Sequence, residues 1–393
     1  MMPSRFPMRK FLMIPKSLIM LSSICAICSA CQVQEFTTPT ATAETKTAPT
    51  PARDGTITIA AVGDIMLGST SINDSFLPPN DGRDILKDVT PILAAADITF
   101  GNLEGPLIDG GTTSKCPPPV KPVEPVDPKE PVKPIRCFAF RTPTRYGKYL
   151  KDAGFDVLSL ANNHSLDFGD DGRVSTRKVL DNLGIAHAGS DRAKYAMTVV
   201  ESKGIKIAFV GFAHNTVVPN VNDLTFSQQL VQQAKKKADI VVVSFHGGAE
   251  GEKAQNVPRV TELYVGEKRG NLPLFAKTVI DAGADLVLGH GPHVLRGMEV
   301  YKERLVLYSM GNFATYGMFN LKGSHGLTAI FEIKLGPGGR FRSGKIHAGK
   351  LLGRGIPALD RSGEAVRKLR SLSQADFAAT APNIAEDGTI SIN

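Results

Sequence analysis

The sequence lacks a strong charge of either sign, and it carries no motif for binding RNA or DNA. Its 46 lysines and arginines against 38 aspartates and glutamates give a formal charge of +8. Four of the basic residues, Arg5, Arg9, Lys10 and Lys16, precede position 31 with no acid among them. Removal of that segment lowers the charge to +4, which is too mild to indicate a nucleic-acid partner.

The chain also lacks an apolar run of the length that spans a bilayer. At the N-terminus a basic stretch, RKFLMIPK, precedes an apolar run over 17–27 that is too short to cross. This order is typical of an export signal. The run ends in CSAC, which resembles the lipobox of bacterial lipoproteins and makes Cys31 the lipidated first residue of the mature chain. That pattern usually has Leu where this chain has Cys28, and the alternative is a plain secretory signal cleaved near Ala30.

Cysteine is scarce, with five residues in the chain, three of them in the signal region. The other two, Cys116 and Cys137, bracket the segment CPPPVKPVEPVDPKEPVKPIRC. In an oxidising, exported setting we expect them to pair, and two unpaired thiols are the alternative. Prolines at nearly every third place of this segment favour an extended polyproline II arm. The arm is either a decorated surface insertion or a contact for a partner.

The composition is that of a globular protein with a core, because 42% of the residues are hydrophobic and 21% are charged. A stretch rich in Thr, Ala and Pro follows the signal and cannot bury a core, so it predicts a flexible tether. We therefore expect a lipoprotein signal peptide over 1–30, a tether over 31–54 and a folded domain over 55–335. A Pro-rich insertion interrupts the domain at 116–137, and a basic C-terminal segment covers 336–393.

Strand-like and helix-like segments alternate from residue 56 onward, which predicts an α/β layered fold. The strand candidates are 56–62, 98–101, 156–160, 205–212, 239–245 and 285–289. The helix candidates are 84–95, 145–153, 172–183, 227–238 and 272–282. Later strands at 298–301, 305–308, 327–335 and 341–348 follow one another without long helices, and they predict an antiparallel second sheet or sheet edge.

Polar residues stand directly after five of these strands: Asp64, Asn102, Glu104, Asn163, His164, His246, His290 and His293. In open α/β sheets, ligands bind in the crevice beyond the carboxyl ends of the strands. Carboxylates, amides and imidazoles are the ligand set for Zn, Mn or Fe(II). Each residue alone has an ordinary explanation, such as a helix N-cap for an aspartate. Their joint placement predicts a site for one or two divalent transition-metal ions.

The order of these segments is similar to that of the calcineurin-like metallophosphoesterase superfamily. It resembles most closely the CapA branch, the bacterial capsule synthesis family. The segments are AAVGDIMLG (60–68), GNLEGPL (101–107), LANNHSLDFG (160–169), SFHGGAE (244–250), GHGPHVLRGMEV (289–300) and LYSMGNF (307–313). The resemblance runs from about residue 57 to 335. It implies a four-layer α-β-β-α metallophosphoesterase-like sandwich with a binuclear metal centre at one sheet edge.

The same resemblance implies roles for single residues. The implied metal ligands are Asp64, Glu104, Asn163, His246, His290 and His293. His246, His290 and Asn163 would form the stronger site, and Asp64 with His293 the weaker one. His164 would stand beside the metals as a general acid or base. The residues implied to support the site or touch substrate are Asn102, Arg141, Asp167 and Asn312.

Two positions depart from the phosphoesterase pattern. Met66 stands where those enzymes place the histidine of an Asp-x-His motif. Asn102 falls on their bridging aspartate, so Glu104, two residues later, must substitute if two metals are held. The GNLE form is usual within the CapA branch. Both departures put ordinary phosphatase activity in doubt.

The resemblance implies an exported protein, lipid-anchored to the outer face of a bacterial membrane. It would take part in poly-γ-glutamate capsule synthesis or export, with the polymer and a polymer synthase complex as partners. The stretch Lys334–Arg370 has ten basic residues and only Asp360 and Glu364 as acids. It suits a polyanion, or it is a solvated basic surface. The alternatives are a free-standing metal-dependent phosphoesterase or hydrolase of the envelope and a non-catalytic polymer-binding lipoprotein.

Overall fold

The computed structural model describes residues 55–113, 115–116 and 138–392. In chain order, the strands of this part are β1 (Ile57–Met66), β2 (Ile98–Leu103), β3 (Val157–Ser159), β4 (Ala186–Ala188), β5 (Met197–Ser202), β6 (Ile205–Ala213), β7 (Ile240–His246), β8 (Glu262–Tyr264), β9 (Glu267–Gly270), β10 (Leu286–His290), β11 (Met298–Tyr301), β12 (Arg304–Leu307), β13 (Asn312–Thr315), β14 (Leu327–Leu335), β15 (Phe341–Leu352), β16 (Ile356–Leu359), β17 (Asn383–Ile384) and β18 (Thr389–Ser391). The α-helices are α1 (Thr90–Leu93), α2 (Gly147–Asp152), α3 (Gly169–Leu183), α4 (Leu224–Lys235), α5 (Leu272–Asp281) and α6 (Glu364–Phe377).

Two large sheets form the centre of the domain. The first has ten strands in the order β17-β18-β15-β14-β1-β2-β3-β4, with β13 beside β1 and β16 beside β15. Strands β1 to β4 are parallel, and β14 pairs with β1 in the antiparallel sense. The second sheet has the order β11-β12-β10-β7-β6-β5, with a parallel centre and antiparallel strands at both ends. Strands β8 and β9 form a separate pair.

The sheets are layered because successive side chains of each strand point to opposite faces. In β1, Ile59 packs in a core shared with the second sheet, whereas Ala60 packs against α1 and α2. In β7, Val242 belongs to that same shared core, and Val241 packs against α4 and α5. The order of layers is therefore helix, sheet, sheet, helix. This confirms the predicted four-layer α-β-β-α sandwich.

The structure departs from one predicted helix and decides between the two alternatives predicted for the later strands. The helix predicted over 84–95 is mostly turns, and α-helix is found only in α1. Pro91 explains this, because proline has no backbone N–H and is tolerated only in the first turn of a helix. The later strands form sheet edges rather than one antiparallel second sheet. Strands β14 and β15 extend the first sheet, while β11 and β12 complete the second.

The segment 336–393, which its charge sets apart, continues the same sheet and core. It contributes β15, β16, β17 and β18 to the first sheet. Helix α6 places Leu369 in the core between the sheets. Neither α6 nor β16 is among the predicted elements.

Several predictions fall on residues outside the described ranges. These are the signal peptide over 1–30, the lipidation site Cys31, the tether over 31–54 and most of the insertion over 116–137, including Cys137. They stay predictions, as does the disulfide between Cys116 and Cys137. In the described ranges, no helix combines the length and apolar character needed to cross a membrane.

Candidate metal centre

Strand register brings the polar residues of the two sheets to one edge. In the first sheet, Asp64 of β1 is aligned with Asn102 of β2 on one side and with Asn312 of β13 on the other. In the second sheet, His246 of β7 is aligned with His290 of β10. Asp64, Asn102, His246 and His290 lie at or near the carboxyl ends of parallel strands, and Asn312 joins them at the start of β13. Their side chains therefore converge in one crevice, as the sequence predicts.

Asp64 depends on a close approach of two backbones. Its N–H donates to the carbonyl oxygen of Gly311 at 2.9 Å. A Cβ atom on the preceding residue, Gly63, would lie only 1.9 Å from that same carbonyl oxygen. Only glycine fits between these chains, which explains the Gly-Asp pair at the end of β1.

Three side chains have donor atoms close enough to hold one ion. A carboxylate oxygen of Asp64, one of Glu104 and a ring nitrogen of His293 all lie within 4.8 Å of one another. The Nδ1 atom of His293 is 3.0 Å from Asp64 Oδ2, and its Nε2 atom is 3.7 Å from Glu104 Oε1. The remaining imidazoles are adjacent, with His290 Nδ1 3.3 Å from Asp64 Oδ1 and His246 Nε2 4.0 Å from Glu104 Oε1.

Several atoms of the cluster fit a cation because they have no hydrogen-bond partner in the described part of the chain. Glu104 is fully buried, and neither of its carboxyl oxygens accepts a hydrogen bond within the described part of the chain. The same holds for His246 Nε2 and both ring nitrogens of His290. The Oδ1 atoms of Asn312, which is aligned with Asp64, and of Asn163, next to His164 in the chain, are also buried and unpaired. Buried polar groups are nearly always satisfied, and an unsatisfied one costs about 1–3 kcal/mol. A divalent ion would satisfy this donor set.

The electrostatics of the cluster show which protons an ion must displace. Burial raises the pKa of Glu104 well above its usual range, against the opposing charge of His293. Burial lowers the pKa of His293, but Glu104 and Asp64 outweigh it and raise that pKa to about 10. Burial also depresses the pKa of His246 well below its usual range, so this ring is neutral and able to ligate. Glu104 and His293 therefore share a proton between them at neutral pH, and metal binding releases it.

Asp64 is already in the form that a metal requires. Burial acts to raise its pKa, but the interactions with His290 and His293 prevail. The pKa of Asp64 therefore lies below its usual range, and the side chain is a carboxylate at neutral pH.

His164 is held beside the cluster by a carboxylate, a cation and an aromatic ring. Its Nδ1 atom is 2.6 Å from Asp167 Oδ2, and Lys115 Nζ donates to Asp167 Oδ1 at 2.8 Å. The ring of Phe140 stacks on the imidazole at 3.8 Å. With Nδ1–H donated to Asp167, the Nε2 atom is free and faces Glu104 Oε1 at 3.8 Å. Burial lowers the pKa of His164, with Asp167 opposing the shift.

Asn102 orients the carboxylate beside it. Its Nδ2 atom donates to Asp64 Oδ1 at 2.8 Å and lies 3.4 Å from His246 Nδ1. Its Oδ1 atom accepts from Asn162 Nδ2 at 3.2 Å. Both ends of the amide are therefore engaged, and Glu104 is the residue that faces the imidazoles. Asn162 belongs to the NNH segment, although its neighbours Asn163 and His164 were the residues singled out there.

Asn312 and Arg141 act on the loops around the crevice. The Nδ2 atom of Asn312 donates to the carbonyls of His293 and His325, both at 3.2 Å. His293 has a φ of 57°, an uncommon conformation for a residue with a side chain, and Asn312 stabilises the backbone there. The Arg141 guanidinium donates to Thr70 and to the carbonyl of Gly111. It supports a loop, and these contacts do not direct it to the carboxylates.

The structure adds four residues that sequence reasoning missed. Lys115 and Phe140 hold the His164–Asp167 pair, as described above. Glu250 Oε2 lies 4.0 Å from His293 Nε2, and the Phe319 ring lies 5.1 Å from the His293 imidazole. Glu250 ends the segment SFHGGAE, so a polar residue after β7 was a usable signal. No spacing pattern marks the two phenylalanines or Lys115.

The fold and the site together define a class, a metallophosphoesterase-like α-β-β-α sandwich with a metal-type donor set at one sheet edge. The family model of the bacterial capsule synthesis protein PGA_cap matches residues 58–316. The chain belongs to this family.

Two relatives carry names from capsule synthesis. The chain is 32% identical over 275 residues to the PGA biosynthesis protein CapA of Bacillus subtilis, covering 66% of this chain and 63% of that protein. It is 30% identical over 277 residues to the capsule biosynthesis protein CapA of Bacillus anthracis, and this match covers 65% of this chain and 59% of that protein. The chain thus spans about three fifths of these relatives.

Among solved structures, a phosphatase from Mycoplasma pneumoniae has 11% identity and a TM-score of 0.46. The match covers 78% of this chain and 95% of that one. A TM-score below 0.5 carries no argument about function, and the family assignment depends on the sequence match.

Proposed function

We propose that this domain binds one or two divalent transition-metal ions, Mn, Zn or Fe, between its two sheets. The ligands would be Asp64, Glu104, Asn163, His246, His290 and His293. The observation that supports the proposal most strongly is the fully buried Glu104, whose unpaired oxygens face the imidazoles of His164, His246 and His293. A buried carboxyl group in this setting lowers stability unless a ligand compensates it. The ranking of His246, His290 and Asn163 above Asp64 and His293 stays a prediction.

The reaction that fits the donor set is hydrolysis of a phosphoester or an acyl bond. A bound metal supplies Lewis-acid chemistry, which polarises an oxygen of the substrate. His164 supplies the proton chemistry, because its Nε2 atom, which carries no proton while Nδ1–H is donated to Asp167, faces the cluster. There it can take a proton from the attacking water and return it to the leaving group. Asp167 fixes the ring, and Lys115 and Phe140 fix that pair from two sides. The enzyme class proposed is a metal-dependent hydrolase.

The biological role proposed is participation in poly-γ-glutamate synthesis or export at the cell envelope. Support comes from the family and from relatives named for PGA and capsule biosynthesis. The signal and CSAC sequence favour export and anchoring through Cys31 to the outer face of a bacterial membrane. Partners would be the polymer and a polymer synthase complex. The mild net charge argues against a nucleic-acid partner.

One observation favours a second candidate function, a non-catalytic polymer-binding lipoprotein. Met66 is fully buried and stands where phosphoesterases place a metal-binding imidazole. A weakened metal site could still stabilise the fold without supporting turnover.

The test is turnover by the full-length chain, purified in detergent and loaded in turn with Mn, Zn and Fe. The probes are bis-p-nitrophenyl phosphate and a γ-linked glutamate oligomer. His164→Ala should lower turnover of at least one probe by about 10²–10⁴-fold while bound metal is retained. The matched control is His347→Ala, because His347 is half-buried on β15 and contacts Glu332. Full activity of His164→Ala would contradict the hydrolase proposal, and bound metal without turnover of either probe would favour the binding lipoprotein.

A further inference from the structure

A second cavity adjoins the metal centre and shares a wall with it. The cavity has a volume of about 370 Å³, and its lining includes Phe319, Lys322 and Arg354. The Phe319 ring lies 5.1 Å from the imidazole of His293 and 5.2 Å from the ring of Phe140. Phe319 therefore lines the cavity and also contacts His293 of the cluster and Phe140, which stacks on His164. A ligand that extends from the centre past Phe319 would enter this cavity.

The cavity is positively charged, whereas the metal centre carries the carboxylates. None of its lining residues is acidic. Lys322 is exposed, and its ammonium group makes no ion pair with an acid in the described residues. The Arg354 guanidinium donates only to carbonyl groups, those of Ser75 and Gly317. Two of its five N–H donors are used in this way, so three remain available to an anion.

Other basic side chains of the C-terminal segment are differently placed. Lys345 pairs with Asp387, and Lys350 pairs with Asp360 and Glu364. These pairs neutralise part of the positive charge that the sequence shows between residues 334 and 370. The cavity, by contrast, combines two uncompensated cations in one concave space.

The cavity is preorganised relative to the metal centre. Its two walls are joined by the bond from Gly317 N–H to the Arg354 carbonyl at 2.7 Å. The Arg354 guanidinium also lies over the rings of Phe76 and Tyr316, at 5.1 and 5.5 Å. On the other wall, Asn312 binds the carbonyl of His325, close to Lys322 in the chain, and that of His293 in the cluster. The Arg354 guanidinium is therefore held at a fixed place, and the backbone that carries Lys322 is tied to the centre.

We infer that this cavity binds a carboxylate of a polyanionic substrate chain, one that continues beyond the group being cleaved. The inference depends on the proposed function, since it names the substrate class of the same site. A single phosphoester has one anionic group, which the metal centre itself would hold. A second anion site outside the centre serves a substrate with repeated charges. A γ-linked glutamate chain is such a substrate, because every residue carries a free α-carboxylate.

The experiment is a binding titration of the full-length, metal-loaded chain with a γ-linked glutamate decamer at low and at physiological salt. The Lys322→Glu variant replaces a cation that attracts the glutamate decamer with an anion that repels it. We expect a Kd about tenfold higher at low salt, with a smaller salt dependence than in the wild type. The matched control is Lys178→Glu, an exposed position on α3, which should bind as the wild type does. Metal content of Lys322→Glu reports that the centre is intact.

The outcomes separate this inference from the proposed function. Equal affinity of Lys322→Glu and Lys178→Glu would overturn the cavity assignment, whatever the metal content. Weaker binding in Lys322→Glu alone, with unchanged metal content, would support it. A wild-type chain that binds no metal or turns over neither probe would contradict the proposed function. The same titration, carried out on the metal-free chain, would then report on the cavity.

Discussion

Replacement of Glu104 by glutamine should affect metal binding strongly and the stability of the metal-free domain only slightly. Glutamine has nearly the shape of glutamic acid and no charge. Burial raises the pKa of Glu104 well above its usual range, so a neutral side chain resembles its metal-free form. We therefore expect Glu104→Gln to change the free energy of unfolding of the metal-free protein by less than about 1 kcal/mol.

In the presence of metal the two proteins should differ. A ligand at about 100 times its Kd stabilises the folded state by about 2.7 kcal/mol. Loss of a direct ligand should weaken metal affinity at least as much as loss of a supporting partner, which reaches about 100-fold. At the same metal concentration the variant would then gain only about 0.4 kcal/mol. The difference of about 2.3 kcal/mol corresponds to roughly 5 °C in Tm at about 2 °C per kcal/mol.

The assay is denaturant and thermal unfolding of both proteins with chelator and with each of Mn, Zn and Fe. Glu201→Gln is the matched control, because Glu201 is exposed on β5 and should leave both values unchanged. Equal metal stabilisation of Glu104→Gln and wild type would refute the reasoning. A loss of several kcal/mol in the metal-free variant would show that Glu104 has structural partners instead.

Three further predictions concern the centre, the lipidation site Cys31 and the disulfide of the Pro-rich insertion. Glu104 and His293 hold a proton between them at neutral pH, because burial raises the pKa of Glu104 and neighbouring carboxylates raise that of His293. Metal affinity should therefore rise with pH, and calorimetry in buffers of different protonation enthalpy should detect proton release, whereas binding without release would contradict the assignment. Cys31→Ser should release the protein from membranes in a fractionation experiment, and unchanged membrane association would remove the lipoprotein prediction. Cys116 and Cys137 should form a disulfide, whose loop of about 20 residues adds roughly 3 kcal/mol to the free energy of unfolding on the chain-entropy model. Two free thiols, found by mass analysis of the exported protein, would contradict this prediction.

The fold was predictable from the sequence where a segment has a clear pattern of apolar residues. Apolar runs such as 240–246 are buried on both faces of a parallel sheet, and this leaves a clear signal in the sequence. Helix α6 was missed because its segment was interpreted through its charge, although Leu369 and Val366 face the core. The helix predicted over 84–95 is mostly turns, because Pro91 cannot stand in a helix interior and restricts α-helix to Thr90–Leu93.

The candidate site was predictable for residues that follow strands, because strand ends converge by topology alone. Asp64, Glu104, His246, His290 and His293 come together as expected. Lys115, Phe140 and Phe319 come from loops, and loop positions depend on long-range packing that spacing does not encode. The balance of protons between Glu104 and His293 likewise needs distances, which only the structure supplies.

The most direct measurement of the central claim is the metal content of the full-length chain by inductively coupled plasma mass spectrometry. After exposure to Mn, Zn and Fe, we predict one or two equivalents of transition metal per wild-type chain. His164→Ala should retain this metal, because its imidazole faces Glu104 without being a proposed ligand. His246→Ala should lose it, because it removes an imidazole whose Nε2 atom is unpaired at the centre of the cluster. A wild-type chain that binds none of the three metals, or a His246→Ala chain that binds as much as the wild type, would contradict the account.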